Sequence, residues 1–289
     1  MSTMRMDAAK YIDTLDRLKV SKAEPAQVEY AIIDLALDSD FLRYLYEAAS
    51  QSNIQWRSLL ENTRWQSGWQ AGPILIGFSE HPNFLDSLKV RLNASPLGIL
   101  LEAGESFDQV FGWAHSLLLA MADSDEYLFR FYDPRSLGPL LATLGEKRKS
   151  LVSPGTIVYW SHHGVWQSWP REQHEAATIE PVRLSRAELA DLPGYRMADR
   201  AISYAAIYRD HLPEVSDHRV WVLEQLQEAA GLGFQSASQQ ERWLRLGIRN
   251  QAPLLSRPEH REIMNAPDLA PADRLNAMES LMESPNATA

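Results

Sequence analysis

The residues of this chain whose types best suit chemistry are histidines near the middle of the sequence. His162 and His163 are adjacent, and His174 follows in the segment 170–175 together with two glutamates. Imidazoles and carboxylates are common ligands of transition metals. The spacing matches neither H-x-H nor H-E-x-x-H, and adjacent residues of a strand point to opposite faces. We therefore expect a solvated hairpin tip here, and a metal-dependent enzyme that uses His162, His163 and His174 is the alternative.

Other common catalytic motifs are missing from the sequence. It contains no G-x-S-x-G nucleophile elbow, no P-loop and no G-x-G-x-x-G motif. It has no cysteine, which excludes disulfides, thiolate nucleophiles and cysteine-based zinc sites. Carboxylate pairs such as Asp123 with Asp125 lie in turn contexts and do not favour a glycosidase. We therefore predict that the chain is not an enzyme and has no cofactor and no metal.

The composition argues against two kinds of partner. Acidic residues outnumber basic residues, 38 to 28, and the formal net charge is -10. Because neutralisation of phosphates dominates affinity for nucleic acids, a nucleic-acid partner is disfavoured. No apolar run approaches the roughly 18 residues of a transmembrane helix, and charged residues interrupt the first twenty positions. The sequence therefore predicts a cytoplasmic protein with no membrane partner.

Short apolar runs between breaker residues predict a sheet in the first part of the chain. The runs lie at 30–34, 74–78, 98–101, 127–132, 156–160 and 165–169. The last two are joined by a Ser-His-His-Gly loop, which favours a hairpin. Ser106 and Gln109 have the spacing of a capping box for a helix, and Asp38 or Ser39 is expected to cap another helix.

After about residue 185 the apolar residues recur at helical spacing. Ser185 with Glu188, and Ser238 with Glu241, have the spacing of capping boxes. No strand-like run of comparable quality occurs in this part of the sequence. We therefore predict an α/β N-terminal lobe with a mixed sheet over residues 1–184 and an all-α lobe over residues 185–289.

Aromatic residues and arginines indicate a surface for a protein partner. Of nine tryptophans, Trp65 and Trp69 lie in a polar segment, 63–72, where helical or strand periodicity does not predict their burial. Exposed aromatic side chains often anchor a partner, and packing under a loop is the alternative. Arginine is enriched at protein interfaces, and the helical lobe contributes arginines that suit the rim of such a surface. They are Arg200, Arg209, Arg219, Arg242, Arg245 and Arg249.

Six motifs follow one another in order over residues 28–160. They are Tyr-Ala-Ile-Ile-Asp at 30–34, Leu-x-x-Leu-Tyr at 42–46, Trp-Arg-Ser-Leu-Leu at 56–60, Gly-Pro at 72–73, Gly-Ile-Leu-Leu at 98–101 and Phe-Arg-Phe-Tyr-Asp-Pro-Arg at 129–135. This order resembles the DUF4123 family, the adaptor or chaperone proteins of type VI secretion. The string at 129–135 is the most specific element. One departure is at 92–96, where members often have a tryptophan–glycine stretch.

The resemblance implies a function that involves binding rather than catalysis. A member of the family would bind a cognate effector in the cytoplasm, through what we expect to be a short segment, and help to place it on the VgrG spike protein. No catalytic residues are implied. A structural subunit of the secretion assembly is a further alternative.

The motif residues also have a physical interpretation of their own. Arg130 lies in the run predicted as a strand, so it needs a carboxylate if it is buried, and Asp34 is the expected partner. Asp133 is expected to bond onward backbone amides in a turn. Arg135 and Arg57 are expected to orient loops at one edge of the sheet. The candidate residues for partner binding or for the structure of the motif are Asp34, Trp56, Arg57, Trp65, Trp69, Arg130, Tyr132, Asp133 and Arg135.

Overall fold

The computed structural model of the chain describes residues 7–18, 20–50, 53–78, 81–119, 128–151, 156–162, 164–169, 184–250 and 253–283. The chain divides into two compact units, one formed by Asp16–Leu192 and the other by Met1–Leu15 with Pro193–Ala289. The opening helix therefore groups with the C-terminal helices, whereas the sequence placed it in the lobe 1–184.

The first unit is built on one seven-stranded sheet. Its strands are β1 (Ser21–Lys22), β2 (Tyr30–Asp34), β3 (Gln55–Ser58), β4 (Pro73–Gly77), β5 (Gly98–Glu102), β6 (Ile157–His162) and β7 (Val165–Trp169). They lie in the order β1-β7-β6-β5-β2-β4-β3. The predicted sheet and the β6–β7 hairpin are confirmed. Every pairing between the described strands is antiparallel, however, so the expectation of a mixed sheet was wrong.

Helices cover both faces of this sheet because its central strands are apolar on both sides. Helices α2 (Phe41–Ala49) and α3 (Pro82–Ala94) pack on the face that carries Ala31, Ile33 and Ile76. Helices α4 (Phe107–Leu118) and α5 (Pro134–Leu144) lie on the opposite face, where Trp113 and Leu137 meet Ile99. The alternation of side chains along each strand thus supplies two apolar layers.

The predicted helix starts were only partly right. The capping box of Ser106 and Gln109 at the start of α4 is confirmed. At α2 the N-cap is Asp40, whose side chain makes no capping bond, while Asp38 accepts a hydrogen bond from the Asp40 N–H at 2.9 Å. The strand predicted at 127–132 was wrong for the described residues 128–132, which form irregular backbone and a turn.

The second unit is helical in its described parts. Its helices are α1 (Ala8–Asp16), most of α6 (Arg186–Ile207), α7 (His218–Gly231), α8 (Ala237–Asn250), α9 (Pro258–Asn265) and α10 (Pro271–Glu283). One apolar cluster joins α1, α6, α7 and α8, and a second joins the end of α7 to α8, α9 and α10. None of the described helices is both long and apolar enough to cross a membrane.

Capping boxes were predicted from sequence spacing at the starts of α6 and α8, and only the first prediction was right. The predicted box of Ser185 and Glu188 precedes α6, with the Ser185 N–H 2.6 Å from the Glu188 carboxylate. At α8 the box is formed by Ser236 and Gln239, and not by Ser238 as the sequence predicted. The α8 helix therefore begins two residues earlier than expected.

Candidate functional site

The Asp34 carboxylate lies at the C-terminal end of β2, on the sheet face covered by α4 and α5. Its Oδ2 accepts a hydrogen bond from the Arg130 guanidinium, and its Oδ1 accepts one from the Ala36 N–H at 3.1 Å. The second bond caps the short 3₁₀ turn Leu35–Leu37. The pairing of Asp34 with Arg130 expected from the sequence is therefore present in the structure.

The position of Arg130 differs from the one that the sequence suggested. Arg130 lies in the irregular segment before α5, and 46% of its side chain is exposed, compared with 5% for Asp34. The guanidinium thus reaches the buried carboxylate from the surface. It neutralises Asp34 without being buried itself, which lowers the desolvation cost of the pair.

Tyr132 is buried beside this ion pair. Its side chain is 2% exposed, and burial together with the Asp34 carboxylate raises the pKa of its phenol, whereas Arg130 acts in the opposite direction. Phe131 packs edge-on against Trp113 of α4, with the ring centroids 5.7 Å apart. Tyr132 and Phe131 therefore hold the segment before α5 against the α4 layer.

Asp133 and Arg135 form the N-terminus of α5. The Asp133 side chain caps the helix by accepting a hydrogen bond from the Arg135 N–H at 3.0 Å, and Pro134 occupies the first helical turn. The Arg135 guanidinium returns to the same carboxylate through two bonds of 2.9 Å. The expected bond from Asp133 to an onward amide is confirmed, but it caps a helix instead of closing an isolated turn.

Arg57 connects the edge strand β3 to α4. Its Nε lies 2.7 Å from the Glu61 carboxylate, and its Nη1 lies 3.5 Å from Asp108 of α4. The guanidinium also lies 3.8 Å from the centroid of the Phe111 ring. These contacts satisfy the charge of Arg57 within the chain and fix the start of the β3–β4 loop.

The β3–β4 loop, residues 59–72, is fastened at several points. His115 of α4 lies 2.9 Å from the Glu61 carbonyl, and the Thr63 hydroxyl donates to the Leu60 carbonyl at 2.7 Å. Asn62 adopts a positive φ of 58°, and its N–H donates to the Gln66 side chain at 2.9 Å. The loop that carries Trp65 and Trp69 is therefore held on the edge of the sheet.

A row of aromatic side chains runs beside β3 on the face covered by α2 and α3. Tyr46 of α2 meets Trp56 of β3 edge to face at 5.8 Å, and Trp56 stacks on Trp69 of the loop at 5.7 Å. Both tryptophans are half-buried, whereas Tyr46 is 51% exposed. We call Tyr46, Trp56 and Trp69 the aromatic row; it places a partly exposed aromatic surface next to a sheet edge.

Trp65 does not join this row by a ring contact. The Arg64 guanidinium lies 4.2 Å from the centroid of its ring, and the Trp65 side chain is half-buried. The sequence singled out Trp65 and Trp69 as a pair, but the structure gives them different neighbours. Tyr46 was not among the candidate residues, and its place on α2 opposite Trp56 follows only from the packing of α2 on the sheet.

An apolar cleft lies between the sheet and the helices α4 and α5. It is lined by Ile99, Trp113, Phe131, Leu137, Leu141, Leu151, Val158 and Trp169. The indole N–H of Trp113 has no hydrogen-bond partner among the described residues. The lining residues are apolar, so the cleft provides no acid–base pair for a reaction.

The described part of the chain contains only one of the three histidines of the metal hypothesis. His162 ends β6 and is half-buried, and burial lowers its pKa. His163 and His174 lie outside the described residues, so the proposed three-histidine cluster stays a prediction. Among the residues that the structure covers, no group of three or more metal-ligating side chains is found.

Half of the helical arginines expected at a rim make bonds within the chain. Arg200, Arg219 and Arg242 contact Gln240, Asp217 and Glu279, respectively. Arg209, Arg245 and Arg249 are exposed. Arg242 lowers the pKa of Glu279, and burial has a smaller opposing effect. Arg245 and Arg249 also lower this pKa.

Helices on both faces of an antiparallel sheet, with an ion pair at the end of one strand and aromatic side chains at the sheet edge, define an α/β domain of the three-layer class. Residues 29–150 match the model of the family described as Domain of unknown function (DUF4123). The resemblance noted in the sequence is thereby confirmed. No curated protein and no solved structure shows significant similarity to the chain.

Proposed function

We propose that this protein is an adaptor that binds a cognate effector protein and promotes its loading onto the VgrG spike of a type VI secretion system. The observation that carries the proposal is the DUF4123 domain over residues 29–150. The resemblance drawn from the sequence motifs implies this role for members of the family. The proposal is one of binding, with no catalytic step, and it places the complex in the cytoplasm.

The geometry of the domain supports a binding role at the β3 edge. Three aromatic side chains, Tyr46, Trp56 and Trp69, are partly exposed; Tyr46 meets Trp56 edge to face, and Trp56 stacks on Trp69. Aromatic residues concentrate binding energy at protein interfaces because they bury a large area and lose little conformational entropy. Arg57 and the anchored loop 59–72 hold this surface in place before a partner binds, which reduces the entropic cost of association.

Co-expression with the effector encoded next to a VgrG gene tests the proposal. We expect the two proteins to elute together from a sizing column and to bind in calorimetry with a Kd in the micromolar range or below. The matched control is an effector encoded with a different VgrG gene, which is not expected to bind. Failure of the neighbouring effector to bind, with both proteins folded, would contradict the adaptor function.

A further inference from the structure

The outer side of β3 carries backbone groups that the sheet leaves unpaired. The Leu59 N–H donates to the Pro73 carbonyl at 2.9 Å, at the position that continues the register of Ser58 with Ile74. In an antiparallel ladder, directly bonded pairs alternate with non-bonded pairs. Gln55 and Arg57 therefore bond to β4, whereas Trp56 and Ser58 direct their N–H and C=O groups away from the sheet.

Among the described residues, most of these outward groups have no hydrogen-bond partner. The Ser58 carbonyl accepts a bond from the Glu61 N–H at 3.2 Å. Within the described part of the chain, no hydrogen-bond partner is found for the Trp56 N–H, the Trp56 carbonyl or the Ser58 N–H. An extended backbone that runs alongside β3 would satisfy all three groups, as in peptide recognition by strand addition.

The other edge of the sheet differs in ways that make it a poorer template. Its strand, β1, has two residues, Ser21 and Lys22, and both are exposed. A short edge strand with a lysine is a common means of preventing further strand pairing. On β3, in contrast, the unpaired groups of Trp56 lie beside the aromatic row, so backbone and side-chain recognition coincide at one place.

We propose that β3 is the docking strand for an extended segment of the client protein, which adds to the sheet as an eighth strand. This inference rests on the proposed adaptor function, because the client is the effector that the adaptor carries. In an antiparallel arrangement, the client residue opposite Trp56 would exchange two backbone hydrogen bonds with it. Its side chain would lie on the same face as Tyr46 and Trp56, where an aromatic or β-branched residue packs best.

The dimensions of the edge favour a client segment over a second copy of this chain. A strand of four residues spans about 13 Å at the usual rise of about 3.3 Å per residue. Pairing of two such edges by two-fold symmetry would form only a few hydrogen bonds. It would bury far less than the roughly 1,600 Å² of a standard stable interface. A short peptide segment needs only this length, and its neighbouring side chains can use the aromatic row.

Linear 12-residue peptides displayed on phage provide a probe for the edge. They are selected on the full-length protein while an excess of a Ser58→Pro variant competes in solution. Proline removes the outward N–H of residue 58, and an edge strand tolerates it there because no bond to β4 is lost. The matched control is Ser58→Ala, which also lacks the side-chain bond to the Leu60 N–H but keeps the backbone N–H.

The expected result is a family of peptides that bind the wild-type and Ser58→Ala proteins equally and Ser58→Pro at least tenfold more weakly. Methylation of the peptide backbone nitrogens, one at a time, should weaken binding at every second residue. If Ser58→Pro does not fold, selection on the wild-type protein alone followed by the methylation scan decides the matter. Absence of such peptides, or losses without a period of two, would overturn the proposal.

Self-association gives a separate outcome. If the wild-type protein sediments as a dimer and Ser58→Pro sediments as a monomer, the edge pairs with a second copy and the proposal is wrong. Binding of the intact effector distinguishes the inference from the function on which it rests. If the effector binds Ser58→Pro as tightly as the wild type, the docking-strand proposal is wrong but the adaptor function stands. If the effector binds neither protein, the adaptor function itself is wrong.

Discussion

The Arg130 guanidinium reaches the Asp34 carboxylate from the protein surface and neutralises a charge that is itself buried. Asp34 is 5% exposed and Arg130 is 46% exposed. The two members of this pair therefore contribute differently to stability, since only the carboxylate is left without water when its partner is removed. The pair joins the end of β2 to the segment that leads into α5.

Arg130→Ala is expected to lower the free energy of unfolding by about 1–3 kcal/mol, because a buried carboxylate loses a charge-assisted hydrogen bond. This loss is smaller than the roughly 3–5 kcal/mol typical of a pair of fully buried charges, because the Arg130 guanidinium is half-exposed. Urea unfolding measures the loss. The control is Arg43→Ala, whose pair with Asp40 is exposed on both sides and should contribute less than about 1 kcal/mol. Equal losses in the two variants would contradict the asymmetry of the Asp34 pair.

Gly98→Ala is expected to destabilise the sheet strongly. A Cβ at this position would lie 1.9 Å from the Ile32 carbonyl oxygen of the neighbouring strand, so β2 and β5 would have to separate. The matched control is Gly112→Ala on the exposed side of α4, where a Cβ meets no atom within 4 Å. That change should stabilise the helix by roughly 0.5–1 kcal/mol. Thermal melting of both variants checks the prediction, and similar behaviour of the two would refute it.

Tyr159 should make the protein sensitive to alkaline pH. Burial, and a hydrogen bond to the Glu102 carboxylate, raise the pKa of its phenol to about 12. The folded state thus keeps a proton that the unfolded chain loses near the ordinary tyrosine pKa of about 10. The contribution of Tyr159 to stability is present below pH 10 and falls as the pH rises toward 12.

Tyr159→Phe should reduce this pH dependence. Between pH 10 and 12, the free energy of unfolding should fall less steeply than in the wild type, by up to about 1.4 kcal/mol per pH unit. Urea unfolding at several pH values measures both slopes. Parallel slopes in the two proteins would show that Tyr159 is not responsible.

A short segment of the client should be enough for binding. The aromatic row beside β3 is small, so we expect a segment of a few tens of residues to retain most of the affinity of the intact effector. Burial of apolar area should give the binding a negative heat-capacity change. Calorimetry with a series of client truncations tests this. A requirement for the intact folded toxin domain, with no active segment, would argue against recognition of an extended peptide.

Most of the sheet was predictable because its strands are apolar runs between breakers. Strand β3 was not, since Gln-Trp-Arg-Ser has no clear apolar pattern and is a strand only because it pairs with β4. The strand predicted at 127–132 was wrong in its described part, residues 128–132, for the opposite reason. Its β-forming residues are buried by packing on Trp113 and by the Asp34 pair, so tertiary contacts override the local preference.

The contacts of the site were predictable where a charged side chain needs an oppositely charged partner. They were not predictable where the contact depends on how the helices pack on the sheet. A buried Asp34 requires a cation, and Arg130 is the motif residue able to supply it. Tyr46, Phe111 and His115 were missed because only the fold brings them to Trp56, Arg57 and Glu61. The start of α8 was missed because two overlapping frames, at Ser236 and at Ser238, both have the spacing of a capping box.

Secretion of the cognate effector measures most directly whether this protein delivers it to a VgrG spike, as we propose. A strain that lacks the gene for this protein should fail to release its cognate effector through the type VI system. Release of an unrelated effector of the same system, and the level of VgrG itself, should not change. Restoring the gene should restore release. Undiminished release of the cognate effector from the deletion strain would contradict the adaptor function.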